Sequence, residues 1–247
     1  MDILKLLSSD WIEAHRQNWS KKSGLRYYYQ NQIFDRIISN IKPGPTLQLG
    51  AGPGFFSHYY GGMLNSDFGN RFNVDVELDA HAIPFANDSF DNVVGVDILH
   101  HFARPGSALS ECARILKPGG MLLLVEPWAG FVGNIFYSYM HHEECNDIED
   151  IWNFAFDPET KLPMEGNSKI PKIIFSEQKK NLSFHLPSLQ LEKLEYFGAL
   201  SYLLTGGFGK YGLPEKIINL LIKSEICLSQ AIMRRLALRV FIILQKK

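Results

Sequence analysis

Residues 46–55 read Thr46-Leu47-Gln48-Leu49-Gly50-Ala51-Gly52-Pro53-Gly54-Phe55, a short apolar run that breaks into glycines at alternate positions. Thr46 to Gly50 reads as a first buried strand, and Phe55 to Gly61 as a short helix beyond the turn. Glycines in such a turn admit positive φ and let a ligand lie directly against the backbone. Asp67 falls seventeen positions after Gly50, at the end of the next strand-like run, Met63 to Asp67. A carboxylate there can accept hydrogen bonds from both hydroxyls of a ribose. The stretch predicts a nucleoside site at the edge of a sheet.

Working outward, Val74 to Asp79 and Asp91 to Val96 read as third and fourth strands. Arg104 to Lys117 reads as an amphipathic helix with Leu109, Cys112, Ala113 and Leu116 on one face. Pro118-Gly119-Gly120 ends it as a plain loop stop, and Met121 to Glu126 is a fifth strand. Strands alternating with helices over short connections predict a parallel sheet covered on both faces, with right-handed crossovers. Upstream, Leu25 to Ile41 is helical, with Ile33, Phe34, Ile37, Ile38 and Ile41 on one face, until Lys42-Pro43-Gly44-Pro45 stops it.

Beyond Pro127 the rhythm loosens as far as Ser188, with one helical stretch from Phe131 to His142. An excursion of that length in a compact domain predicts a substrate-shaping insertion. Leu189 to Phe197 is a sixth strand. Leu213 to Leu228 is a helix with Ile217, Leu220, Leu221 and Leu228 inward, and Leu238 to Leu244 is a last strand in an antiparallel edge pair. The organisation expected is one domain over residues 1–247. It comprises an N-terminal helical cap (1–45), a core (46–126), the insertion (127–188) and C-terminal strands and helix (189–247).

Composition narrows the function classes. At 46% hydrophobic residues, with 25 Lys+Arg against 26 Asp+Glu, the chain buries a core and lacks the basic excess that nucleic-acid binding demands. Cys112, Cys145 and Cys227 are odd in number and far apart, so neither a disulfide framework nor a zinc site is expected. No secretory signal and no membrane-spanning run is visible, and a cytoplasmic protein is expected.

Two cofactor classes use a glycine turn of this kind. A dinucleotide site wants a third glycine at position 55, where Phe55 stands. Gly50-x-Gly52-x-Gly54 suits S-adenosylmethionine better. Further motifs follow in order: Asp79-Ala80-His81-Ala82-Ile83-Pro84-Phe85, Asp88-Ser89-Phe90-Asp91, Val96-Asp97-Ile98-Leu99-His100-His101-Phe102 and Arg114-Ile115-Leu116-Lys117-Pro118-Gly119-Gly120. With these the chain resembles the class I S-adenosylmethionine-dependent methyltransferases between about Thr46 and Pro127. The resemblance implies a Rossmann-like α/β fold, a doubly wound seven-stranded sheet of order 3-2-1-4-5-7-6. It implies that Gly50, Ala51 and Gly52 line the cofactor, that Asp67 holds its ribose and that Phe68 packs on adenine. Asp79 would accept from the adenine amino group, Ala80 would add a backbone contact, and the backbone at Val96 and Asp97 would approach the methionine. Gln48 stands where the family often has an acid; it can bond the methionine ammonium but gives no countercharge.

Methyl transfer is an in-line displacement in which positioning carries much of the rate, and a base is needed only when the acceptor loses a proton. His100 and His101 follow the fourth strand; adjacent strand residues point opposite ways, so one of them, His101, is expected in the cleft. His141-His142-Glu143-Glu144 reads first as a solvated face and, with successive helix residues ~100° apart, as a poor metal cage; an acid–base role for His141 or His142 is the alternative. No metal is expected. Arg26 to Tyr29 reads as core or as a lid, Gly206-Gly207-Phe208-Gly209 as a connector or a mobile loop, and Arg234, Arg235 and Arg239 as a solvated basic helix face. The expected activity is methyl transfer to a small-molecule or saccharide acceptor. A non-catalytic cofactor-binding scaffold and a nicotinamide-dependent oxidoreductase are the alternatives.

Overall fold

The structure, a computed structural model, describes residues 9–68, 74–157, 161 and 165–247. Its sheet has seven strands: β1 (Thr46–Leu49), β2 (Leu64–Asp67), β3 (Val76–Glu77), β4 (Phe90–Val96), β5 (Leu116–Pro127), β6 (Leu189–Phe197) and β7 (Arg239–Lys246). They lie in the order β3-β2-β1-β4-β5-β7-β6. The first five run parallel, and β7 is antiparallel to both β5 and β6. This is the doubly wound order that the sequence motifs imply.

Alternation along the central strands explains the two-sided core. Val93, Leu122, Leu124, Val240, Ile242 and Leu244 belong to one hydrophobic cluster. Their neighbours Val94, Leu123, Val125, Phe241 and Ile243 belong to the other. Successive strand side chains point to opposite faces, so a continuous apolar run requires cover on both. Each fully buried side chain contributes about 1.5–3 kcal/mol. One face is covered by helix Pro105–Ile115, through Leu109, Cys112 and Ala113. The other is covered by helix Ser23–Tyr28, its continuation through a π-helical turn (Tyr29–Phe34) and Asp35–Ile38, and helix Glu215–Ile226.

Several boundaries depart from the sequence reading. Pro118-Gly119-Gly120 is no loop: β5 starts at Leu116, and a register shift between Phe90 and Asn92 absorbs the extra residues as a bulge. The third strand shrinks to Val76–Glu77. Helix Glu215–Ile226 buries Ile218 and Ile222, whereas Ile217 and Leu220 are exposed. Of the expected inward set only Leu221 packs on the core, because apolar residues surround most of that helix and leave its phase open. Tyr28 and Tyr29 are buried core, and Arg26 is tied to the Trp19 and Ser20 carbonyls. No helix among the described residues is long and apolar enough to cross a membrane.

Gly24 sets how closely the N-terminal helices approach Glu215–Ile226. A Cβ there would sit 2.0 Å from the Leu213 carbonyl oxygen, a backbone atom that cannot swing aside. Gly24→Ala is expected to destabilise the fold by about 1–3 kcal/mol, the range for overpacking. A thermal melt checks this, and an unchanged midpoint would contradict it.

Candidate active site

The carboxyl ends of β1, β2, β4 and β5 open on a cavity of about 1350 Å³. At its first end β1 runs into the glycine turn. Gly50 and Gly52 have φ of 66° and 52°, left-handed values that favour glycine. A Cβ on Gly50 would meet Ile98 at 2.3 Å, whereas one on Gly52 would meet nothing within 4 Å. The turn is pinned from β2: Ala51 N–H donates to the Ser66 carbonyl at 2.9 Å, and Gly52 N–H to Asp67 Oδ2 at 2.7 Å. Phe68 N–H donates to the other carboxylate oxygen of Asp67 at 2.7 Å.

Gln48 is 2% exposed, yet its Oε1 finds no hydrogen-bond donor among the described residues and its side chain lines the cavity. Leaving a buried acceptor unsatisfied is costly, which makes it a marker of a missing partner. Asp79 Oδ1 accepts from the backbone N–H of His81 at 2.9 Å and contacts its ring at 2.6 Å. Burial disfavours the Asp79 charge, but these His81 contacts outweigh it and hold the carboxyl below its usual range.

Beyond the turn, Asp97 leaves β4 with φ of 56°, a left-handed value that Asp tolerates better than most residues. Its Oδ1 lies 2.6 Å from Arg239 Nη2, an ion pair made at a poor hydrogen-bond angle. Burial opposes the charge on Arg239, but Asp97 outweighs it and keeps the guanidinium protonated. Arg239 is 2% exposed and begins β7 opposite Pro127, so it is not part of a solvated helix face.

The far end of the cavity holds four of the chain's eight histidines around one carboxylate. His100 Nε2 is 3.3 Å from Glu143 Oε2, and His101 Nε2 is 3.7 Å from Oε1. His141 Nδ1 and His142 Nε2 lie at 3.7 and 3.8 Å from the same group. His100 Nδ1 meets Glu126 Oε2 at 2.6 Å, and His101 Nδ1 meets the Glu165 carbonyl at 3.0 Å. Glu126, wholly buried, also accepts from the Ile98 and Leu99 N–H groups at 3.0 and 2.8 Å.

These contacts set the charges. Burial alone would lower the His100 pKa, but Glu143 and Glu126 outweigh it and raise it to about 10. Burial and then the charge on His100 push His101 down to about 4. Burial likewise brings His141 to about 4. Burial opposes the charge on Glu143, yet His100 and the other histidines hold it far below the usual carboxylate range.

The cavity wall brings together every sequence-selected residue: Gln48, Gly50, Ala51, Gly52, Asp67, Phe68, Asp79, Ala80, Val96, Asp97, His101, His141 and His142. Residues 47–124 match the family model described as a methyltransferase domain. Over this stretch, less than half of its length, the chain is similar to S-adenosylmethionine-dependent methyltransferases. It is 45% identical over 97 residues to the uncharacterized protein YafE of Escherichia coli, across 38% of this chain and 46% of that one. It is 34% identical over 143 residues to the human probable tRNA methyltransferase 9B, across 51% of this chain and 30% of that one. The chain thus spans less than half the length of these curated relatives. In fold it is similar to a Thermotoga maritima S-adenosylmethionine-dependent methyltransferase, described as a possible histamine N-methyltransferase. The TM-score is 0.55 at 17% identity, over 96% of this chain and 93% of that one, a likeness of fold alone.

Within this methyltransferase fold three expectations about the far end need correction. His100 and His101 sit on a 3-10 turn (Leu99–His101), not on a strand end, and both line the cavity. His141 and His142 lie past the helix Phe131–Tyr139, so helical spacing does not separate them. Glu143 has a side chain only 10% exposed, which is no solvated face. Glu126 and Glu143 escaped the sequence reading as site residues. The available signal for Glu126 is an acid closing the unbroken apolar run Leu122-Leu123-Leu124-Val125.

Proposed function

We propose that the chain transfers a methyl group from S-adenosylmethionine to a small-molecule or saccharide acceptor, leaving S-adenosylhomocysteine. The observation that carries this reading is the orphaned Oε1 of Gln48 on the cavity wall. It is the acceptor a methionine ammonium needs, beside a glycine turn whose outer side is open at Gly52. In this reading Gly50, Ala51 and Gly52 lie along the cofactor, and Asp67 accepts from its ribose hydroxyls. Phe68, 60% exposed at the cavity wall, packs on the adenine. Asp79 accepts from the adenine amino group, Ala80 offers a backbone contact, and the backbone at Val96 and Asp97 borders the methionine.

Volume supports a two-ligand site. Small-molecule pockets commonly span about 300–1000 Å³. The 1350 Å³ here leaves room for an acceptor beside a nucleoside. The cofactor, when bound, supplies an electrophilic methyl carbon on a sulfonium. The chain's own residues hold the two reactants in line, which carries much of such a rate. His101 has its Nδ1 against a carbonyl, so Nε2 holds the lone pair. In its neutral state it can take a proton from an attacking hydroxyl or amine, with His141 and His142 beside it. The near-equal counts of basic and acidic residues favour a small acceptor over tRNA, the substrate in the name of the human relative. The dinucleotide reading loses support because the Phe55 ring stacks on Trp19 at 4.2 Å in place of a third glycine.

The test is transfer of labelled methyl from S-adenosylmethionine to a fractionated pool of hydroxyl- and amine-bearing small molecules. Label in an acceptor fraction is expected. Binding of S-adenosylhomocysteine with no label transferred to any fraction would favour the scaffold reading instead. Gln48→Leu removes the ammonium acceptor and is expected to weaken S-adenosylhomocysteine about tenfold, the loss of one hydrogen bond to a charged group. Calorimetry reads it, and unchanged affinity would count against the role given to Gln48.

A further inference from the structure

We infer that His100, His101 and Glu143 form a binding site for a divalent transition-metal ion of the zinc type. One ligand atom from each residue lies within 4.8 Å of the other two. The two oxygens of Glu143 each face one imidazole, Oε2 at 3.3 Å from His100 Nε2 and Oε1 at 3.7 Å from His101 Nε2, separations close to those an ion needs. Bonds of about 2.0–2.1 Å in a tetrahedron put neighbouring ligand atoms roughly 3.3–3.5 Å apart.

The orientation of the two imidazoles is the stronger argument. His100 Nδ1 faces the Glu126 carboxylate at 2.6 Å and His101 Nδ1 faces the Glu165 carbonyl at 3.0 Å. Both partners only accept, so each Nδ1 carries the hydrogen and each Nε2 is the nitrogen turned to Glu143. Metal-binding histidines almost always donate their other N–H to a carboxylate or a backbone carbonyl, which fixes the ring. Here both rings have that support. Two imidazoles and one carboxylate suit a first-row ion of intermediate softness and leave coordination positions open. A second grouping, Asp97 with His100 and Glu126, also brings ligand atoms close. Its groups are committed elsewhere, Asp97 to Arg239 and Glu126 to two backbone N–H groups and His100.

Binding would displace the proton that His100 Nε2 holds toward Glu143 and release it to solvent, so the buried carboxylates stay balanced. His100, His101 and Glu143 all line the cavity, so an oxygen of a second ligand can reach the open position. There the ion would lower the pKa of an acceptor hydroxyl and take over the task otherwise given to His101. That use rests on the methyl-transfer reading; the binding of the ion does not.

The experiment is a Co²⁺ titration of the chelator-treated full chain, followed by its visible d–d absorption, with Zn²⁺ competition and calorimetric stoichiometry. One ion per chain, a low-symmetry cobalt spectrum and its loss on adding zinc are expected. Glu143→Gln and His101→Ala should each weaken binding at least tenfold. His185→Ala, an exposed histidine stacked on Trp152, should leave it unchanged. S-adenosylhomocysteine affinity, measured on the same variants, reports whether the cofactor half is intact and stands apart from the metal result. Absence of a cobalt band in the wild-type chain overturns the site whatever the variants do. Equal metal affinity in wild type, Glu143→Gln and His101→Ala overturns it as well.

Discussion

Asp67→Ala is expected to weaken S-adenosylhomocysteine binding by roughly 100- to 10,000-fold, from ~1.5–3 kcal/mol for each of two hydrogen bonds to a carboxylate. The same substitution frees the Gly52 and Phe68 N–H groups that Asp67 now accepts at 2.7 Å each. The turn then loses its anchor to β2 along with the acceptor for the ribose. Asp67→Asn keeps one acceptor oxygen and should fall between wild type and alanine. Isothermal calorimetry orders the three proteins. An alanine variant with wild-type affinity would mean that the nucleoside lies elsewhere.

The second large effect is on folding. Glu126 is fully buried and joins the end of β5 to the turn after β4 through Ile98, Leu99 and His100. Glu126→Ala leaves two backbone N–H groups without their acceptor and takes one of two carboxylates from a charged, buried histidine. Removing one partner of a buried pair costs about 3–5 kcal/mol. Glu126→Gln keeps the fill and one acceptor oxygen and should cost less. The midpoint of urea unfolding, at unchanged slope, measures both. A loss under about 1 kcal/mol in the alanine variant would show that the turn is held by other contacts.

Comparison of sequence and structure follows the reach of each signal. The strands are legible because a period of two and a period of 3.6 act within a few residues; β4, β5 and β7 each contain an apolar run. The glycine turn and Asp67 were legible for the same reason, since a strand, a turn and the next strand's end form one short unit. The far end of the cavity was not, because its groups meet across the chain. Glu126 lies 26 residues from its partner His100, and Glu143 sits in a stretch with no period at all. Nearness in sequence joins Arg239 to Arg234 and Arg235, although the helix Gln230–Leu236 ends before it and β7 begins on it. The adjacent His100 and His101 were separated by strand geometry, whereas a 3-10 turn of three residues per turn lets neighbours share one cavity.

The central claim is that this cavity takes a sulfonium nucleoside at the carboxyl ends of β1, β2 and β4. Calorimetric titration of the wild-type chain with S-adenosylhomocysteine, run beside NADH, tests it most directly. Saturable binding at one site per chain is expected for the first and none for the second. No heat with S-adenosylhomocysteine, or saturable binding of NADH in its place, would contradict it.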